Sequence, residues 1–186
     1  MAVEAFYPHT ANLLVNMGAN MYLMDNQNYS PLLSAFERGA DMTQTFLLED
    51  ESIIDLEDNL GNTPLFHAIK ENYNNIATLL VNLGSDYDHR NLRGITPLLL
   101  TIENGEMDLF YLLLDHGADI NRGDNKGDGA LHYLVRSRSQ FNRTLAQALL
   151  DYGIQTDLSN NMDMTALHYS TLYKNGPALV FLVEQG

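Results

Sequence analysis

"GNTPLFHAI" at residues 61–69 is the stretch that decides the fold, because "GITPLLLTI" repeats its pattern at residues 94–102. Each stretch places a glycine and then Thr-Pro-Leu ahead of an apolar run. The threonine hydroxyl can accept an otherwise unpaired N–H at a helix start, and proline suits the first helical position because its missing N–H costs nothing there. Both stretches therefore predict the beginning of a helix.

The same helix start recurs along the chain at a nearly constant interval. The steps between successive starts are 33, 33, 33 and 36 residues, and a period of this kind is typical of a solenoid in which each helix pair buries its apolar side against the next. The aligned starts are Ser30, Thr63, Thr96, Gly129 and Thr165. A second marker keeps the same register at Gly18, Glu51, Gly84, Gly117, Gly153 and Gly186.

The pattern makes three local predictions. Ser30, Thr63 and Thr96 should cap helices that begin at Pro31, Pro64 and Pro97. A tight turn should precede each helix, because residue types that tolerate positive φ stand three positions before each first helical residue. They are Asn28, Gly61, Gly94, Gly127 and Asp163. The second helix of each unit should bury an apolar stripe such as Leu79–Val81 or Leu112–Leu114.

The sequence resembles the ankyrin-repeat family, most closely in "DNLGNTPLFHAIKENYNNIATLLVNLGSDYD" (58–88) and "TPLLLTIENGEMDLFYLLLDHGADIN" (96–121). The resemblance implies an all-α ankyrin-repeat solenoid of stacked helix-turn-helix units with β-hairpin-like turns. It implies one array over residues 1–186, with a partial first unit and an incomplete last one. The expected units are 1–24, 25–57, 58–90, 91–123, 124–159 and 160–186.

Three features depart from a regular array. The extra three residues of the fourth unit should lengthen the turn between its helices, in "VRSRSQFNR" at 135–143. The second unit carries Glu51 where glycine is expected. The last helical stretch, "PALVFLVEQG" at 177–186, is apolar, whereas arrays normally end in polar capping units. We therefore expect a piece of a longer array, with a short protein that dimerises through its exposed end as the alternative.

Composition narrows the functional classes. The net charge of −14 argues against general nucleic-acid binding, because phosphates would be repelled. The absence of cysteine excludes disulfides and thiolate metal sites and suits an intracellular, cytoplasmic location. No apolar run is long enough to span a membrane, so membrane insertion is not expected.

The residues that could carry chemistry favour structural roles. His132 and His168 stand in "GALH" and "TALH", where the resemblance implies imidazoles that hydrogen-bond neighbouring backbone. No histidine spacing predicts a metal site. Segment 41–58 has seven carboxylates and no basic residue. It lacks the spacing of a calcium loop, and a run of like charges favours a solvated surface. We expect no cofactor and no enzymatic activity.

The resemblance implies a docking surface made by hairpin tips and first helices. Seven of the ten lysines and arginines lie between Arg90 and Arg143, and exposed apolar residues beside arginine are typical of protein-binding hot spots. Arg90, Arg93, Lys126 and Arg136 are the candidate charge anchors. The candidate exposed apolar contacts are Leu92, Ile95, Met162, Met164 and Tyr173, with Leu172 beside them.

The sequence thus predicts a non-catalytic protein-interaction module whose partner carries acidic and apolar residues, within a longer protein such as a pathogen effector or a host-interaction scaffold. The alternative is a structural spacer or self-assembly element of a larger protein. An enzyme acting through segment 41–58 has no support from residue spacing.

Overall fold

The computed structural model describes residues 30–38, 54–137 and 141–185, together with positions 17, 19, 23 and 43. The chain divides into two compact units, Met1–Asp86 and Tyr87–Gly186. In the described residues the architecture is all-α, as predicted, and the only strand-like pairing there is an isolated bridge between Ser159 and Thr165.

Unit 1 (Met1–Asp86) contains three described helices. Helix α1 (Pro31–Arg38) packs on α2 (Pro64–Lys70), and α2 packs on its successor α3 (Asn74–Asn82). Leu65 and Leu80 are fully buried between them, so the apolar stripe of α3 faces α2 as predicted.

Unit 2 (Tyr87–Gly186) contains three successive helix pairs. The first helices of neighbouring pairs pack on one another, and each also packs on the second helix of its own pair. The pairs are α4 (Pro97–Asn104) with α5 (Met107–Asp115), α6 (Ala130–Arg136) with α7 (Arg143–Asp151), and α8 (Ala166–Leu172) with α9 (Gly176–Gln185). The six-residue connection between α6 and α7, at 137–142, is the longest of the three, which confirms where the extra residues lie.

Helix starts agree with the sequence except at one side chain. The three proline-led helices begin at Pro31, Pro64 and Pro97. The Thr96 hydroxyl accepts the Leu99 N–H at 3.2 Å, which confirms that cap. The cap predicted at Thr63 is wrong, because its buried hydroxyl has no hydrogen-bond partner. Thr63 and Thr96 share an extended backbone, so the backbone conformation does not account for the difference.

The predicted turns before the helices are confirmed where they are described. Gly61, Gly94 and Gly127 have φ of 72°, 75° and 78°, and Asp163 has φ of 56°. Asn28, Glu51, most of the expected first unit and most of segment 41–58 lie outside the described residues.

Candidate protein-binding surface

Each helix pair of unit 2 is preceded by a hairpin-like tip, namely tip A (91–96), tip B (124–129) and tip C (160–165). An Asn or Asp side chain closes each tip from within. In tip A, the Asn91 Oδ1 accepts the N–H groups of Arg93 and Ile95, both at 3.0 Å. Asp124 accepts the equivalent N–H groups in tip B, and Asn160 does so in tip C. The same arrangement occurs at Asp58 in unit 1.

Neighbouring tips are also hydrogen-bonded to one another. The Asn125 N–H donates to the Arg93 carbonyl at 3.0 Å, and the Asn125 side-chain amide donates to the Leu92 carbonyl at 2.9 Å. Asn161 repeats both bonds one tip further on, to the carbonyls of Lys126 and Asn125. The three tips therefore form a continuous, ordered row.

Glycine is required where the tips approach most closely. A Cβ on Gly127 would lie 2.6 Å from the Asn161 Oδ1, and one on Gly94 would collide with the Asn125 side chain. Because both glycines also have positive φ, both backbone conformation and space exclude a larger side chain.

Two of the predicted charge anchors lie exposed on this row. Arg93 and Lys126 are exposed, and among the described residues neither side chain has an ion pair or hydrogen bond with another. Leu92 and Met162 flank them with 69% and 60% of their surfaces exposed. Asn125 and Asn161 complete the row of exposed tip residues. We call these six residues the tip surface: Leu92, Arg93, Asn125, Lys126, Asn161 and Met162.

The structure gives Arg90 a different role from the free anchor that the sequence predicts. Its guanidinium donates to the Gly94 carbonyl at 3.3 Å and to the Gly123 carbonyl at 3.2 Å. Arg90 is exposed, but its Nε bonds to tip A, and one terminal nitrogen bonds to Gly123 and to the Asn125 side chain of tip B. Arg90 therefore connects tip A to the residue before tip B.

Arg136 is also not a free anchor. Its side chain is only 14% exposed, and its guanidinium pairs with Glu103 at 3.2 Å and with Asp128 at 3.5 Å. The guanidinium carbon lies 3.5 Å above the Tyr133 ring. Burial lowers the pKa of Arg136, but Tyr133 and Glu103 raise it by more, so the group stays charged. Arg136 is held inside the protein because Glu103 of α4 and Asp128 of tip B supply its acceptors.

The remaining predicted apolar contacts divide. Ile95 is 6% exposed, so its predicted exposure is wrong. Its backbone N–H donates to the Asn91 side chain, and its own side chain lies in the core. Met164 is half-buried. Tyr173 is 51% exposed, but it follows α8 and packs against Tyr169 at a ring distance of 5.6 Å instead of lying on a tip.

A buried carboxylate that sequence reasoning missed lies behind the row. Asp128 is 1% exposed and accepts hydrogen bonds from the Asn160 side-chain amide at 2.6 Å and the Tyr169 hydroxyl at 2.8 Å. Burial and the bond to Asp128 raise the pKa of Tyr169 to about 12. Tyr133 donates in the same way to Asp124 at 3.0 Å, and burial raises its pKa further. Both phenols are therefore protonated donors at neutral pH.

A profile of the family described as "Ankyrin repeats (3 copies)" matches residues 1–91 and 83–146. The chain belongs to the ankyrin-repeat family. No curated protein matches it significantly. Ankyrin repeats generally mediate protein–protein interaction and are typically non-catalytic. The row of tips exposes side chains that a partner could contact.

His132 and His168 of this ankyrin-repeat protein have the structural role predicted for them. The His132 Nδ1 accepts the Gly129 N–H at 3.2 Å and its Nε2 lies 2.9 Å from the Met164 carbonyl, while the His168 Nδ1 accepts the Thr165 N–H. Within the described ranges no cluster of His, Asp or Glu could hold a metal ion. Likewise, no helix in the part of the chain that is described is long and apolar enough to cross a membrane.

Proposed function

We propose that the tip surface is a protein-interaction site for a partner segment that carries acidic and apolar side chains. The observation that supports it is the pair of exposed cations, Arg93 and Lys126, on neighbouring tips, whose side chains have no partner among the described residues. In a chain of net charge −14, two such adjacent cations create a local field that favours acidic ligands and disfavours basic ones.

The apolar members of the tip surface add the second half of the recognition. Leu92 and Met162 expose most of their surface at the two ends of the row. Arginine is enriched among the few residues that contribute most of the binding energy of an interface, exposed apolar patches mark interaction sites, and methionine adapts to partners of different shape. Because hydrogen bonds already join the tips, little order has to be gained on binding.

The experiment is a charge reversal measured with short fluorescein-labelled peptides rich in glutamate and leucine. Arg93→Glu combined with Lys126→Glu should weaken binding roughly tenfold or more, as expected for the loss of two rim charges and the gain of two repulsive ones. Circular dichroism and the melting temperature should not change, because neither side chain bonds to another described residue.

The matched control reverses two exposed lysines that are not members of the tip surface, Lys70 and Lys174, which changes the net charge by the same amount. The control variant should bind the peptides almost as the wild type does. Equal losses in both variants would mean that only net charge matters, and unchanged binding in the tip variant would remove the site.

A second candidate, a self-assembly or spacer element, is favoured by apolar exposure on the last helix pair. Leu167 is 38% exposed, whereas Leu98 and Leu131 at the equivalent positions are 2% and 4% exposed. Val183 on α9 is 61% exposed. Light scattering tests self-assembly, since a monomeric mass at all concentrations would remove that role. Whether the tip surface serves an effector or a scaffold within a longer protein depends on which partner it captures.

A further inference from the structure

The buried carboxylate of Asp128 connects tip B to tip C. Asp128 belongs to tip B, and it receives the side-chain amide of Asn160 at 2.6 Å. Asn160 is the residue that closes tip C, because its Oδ1 accepts the N–H groups of Met162 and Met164 at 2.9 and 3.1 Å. One carboxylate of tip B therefore orients the group that shapes tip C.

Helix α8 adds a second link between the same two repeats. The Tyr169 hydroxyl lies 2.8 Å from both oxygens of Asp128, and the Asn160 amide is 3.1 Å from that hydroxyl. Asp128, Asn160 and Tyr169 thus form a closed triangle of hydrogen bonds, each 1–5% exposed. Buried and fully paired networks of this kind are rigid, because breaking one bond leaves a buried donor with neither a protein acceptor nor a water molecule to bind.

Asp128 is also fixed from the side of the preceding repeat. Arg136 pairs with it at 3.5 Å and with Glu103 of α4 at 3.2 Å. The carboxylate therefore joins elements from three successive repeats, and it does so directly behind the exposed side chains of Lys126 and Met162.

We propose that Asp128 is a positioning residue of the tip surface, whose buried carboxylate fixes Met162 relative to Lys126 so that the two side chains engage one partner segment cooperatively. This inference rests on the proposed function of the tip surface. Its physical basis is that a site held in its bound arrangement loses less freedom on binding.

Two variants loosen the link and one serves as a matched control. Tyr169→Phe removes one donor to Asp128 at almost constant volume, and Asp128→Asn keeps the shape of the side chain but removes its charge. The control is Ser170→Ala, since the Ser170 hydroxyl is a buried donor of the same helix, and among the described residues it bonds only to the Leu167 carbonyl. It removes a hydrogen bond without touching any tip.

The first measurement is amide hydrogen exchange at Met162 and Met164 in the free protein. We expect exchange at these two amides to rise on the order of tenfold in Tyr169→Phe and Asp128→Asn, the size expected for losing one buried hydrogen bond. In Ser170→Ala the two amides should exchange as in the wild type once any change in global stability is subtracted.

The second measurement is a double-mutant cycle on binding of the glutamate- and leucine-rich peptides. In the wild type, Lys126→Ala and Met162→Ala together should differ from the product of their separate effects by about threefold, as neighbouring coupled residues do. In the Tyr169→Phe background the two effects should simply multiply, whereas in the Ser170→Ala background the coupling should persist.

The two measurements separate the failure of this inference from the failure of the proposed function. Peptides that do not bind, or that bind regardless of Arg93 and Lys126, would overturn the proposed function, and hydrogen exchange would still decide whether Asp128 orders tip C. Peptide binding that depends on both cations, with Tyr169→Phe and Ser170→Ala indistinguishable in exchange and in coupling, would overturn the role of Asp128.

Discussion

The Tyr169 hydroxyl lies 2.8 Å from both carboxylate oxygens of Asp128, so a helix of one repeat is hydrogen-bonded to the tip of the repeat before it. Asp128 is almost fully buried, and a buried charge is tolerated only when it is paired and hydrogen-bonded. Arg136 and Asn160 complete that pairing.

Replacing Asp128 by alanine should therefore destabilise unit 2 strongly. The change removes the acceptor shared by the side chains of Asn160, Tyr169 and Arg136, and breaking a buried charge pair from one side costs roughly 3–5 kcal/mol. Urea unfolding followed by circular dichroism measures the loss. Ser170→Ala, which removes one neutral hydrogen bond, should cost only about 1 kcal/mol; similar losses in the two variants would show that the Asp128 network adds little.

Arg136 and Arg93 should separate stability from binding. Arg136→Gln removes the cation shared by Glu103 and Asp128 and should lower the free energy of unfolding by roughly 2–4 kcal/mol. Arg93→Gln removes an exposed charge and should change it by no more than about 0.5 kcal/mol. Peptide binding should show the opposite order, with Arg93→Gln the weaker binder. A stable Arg136→Gln protein that no longer binds, although the amides of Met162 and Met164 exchange as in the wild type, would restore Arg136 as an anchor.

The repeating local signals were readable from the sequence. The interval of about 33 residues and the Thr-Pro-Leu motif predicted the helix starts, the positive-φ turns and the tips that present Leu92, Arg93 and Lys126. The closing residues Asp58, Asn91, Asp124 and Asn160 were missed, although the same interval separates them, so that signal was available.

The positions that failed depend on neighbours from other repeats. Arg136 occupies a register position that the resemblance assigns to the docking surface, but Glu103 lies 33 positions earlier and draws it inward. The partners of Asp128 lie 32 and 41 positions later. No local pattern encodes such pairings, because they follow from which side chains the stacking brings together.

Glycine at tip B should matter more than glycine in an open turn. Gly127→Ala adds a Cβ 2.6 Å from the Asn161 Oδ1, whereas Gly153 has a similar positive φ and nothing within 4 Å. Gly153→Ala should cost about 1 kcal/mol for backbone strain alone, and Gly127→Ala should cost more and also weaken peptide binding. Thermal unfolding and fluorescence anisotropy test both, and equal costs would show that tip B yields to the extra atom.

The two proline-led helix starts at Thr63 and Thr96 should respond oppositely to valine. The Thr96 hydroxyl caps its helix, so Thr96→Val should lose about 1 kcal/mol. The Thr63 hydroxyl is buried without a partner, so Thr63→Val removes a desolvated polar group at constant shape and should be neutral or stabilising by up to about 1 kcal/mol. Melting temperatures decide, and a destabilised Thr63→Val would reveal a partner for that hydroxyl.

The Asp58–His67 pair in unit 1 should make stability fall with acid. The two side chains lie 3.1 Å apart. Burial lowers the pKa of His67 and outweighs the attraction of Asp58. Burial raises the pKa of Asp58, but hydrogen bonds from Asn62 and Leu60, with His67 nearby, lower it by more. At neutral pH the histidine is therefore neutral and donates to a carboxylate.

Both depressed pKa values give the pH dependence the same sign. As pH falls through about 6.5, the unfolded chain takes up a proton at His67 that the folded chain resists, so unfolding becomes more favourable. The stability from Asp58 is present above its unfolded pKa of 3.8 and is lost as pH falls through its lower folded pKa. The first loss therefore begins near pH 6.5 and continues down to the folded pKa of His67.

His67→Tyr tests this assignment with a substitution that the chain itself provides. Tyr133, at the position two repeats further on, donates to Asp124 as His67 faces Asp58, and a tyrosine does not titrate near neutrality. Hydrogen exchange on heating measures the melting temperature of unit 1. This temperature should fall as the pH is lowered from about 7.5 to 5 in the wild type, and it should fall less in the variant. Parallel curves for the two proteins would place the acid sensitivity at another group.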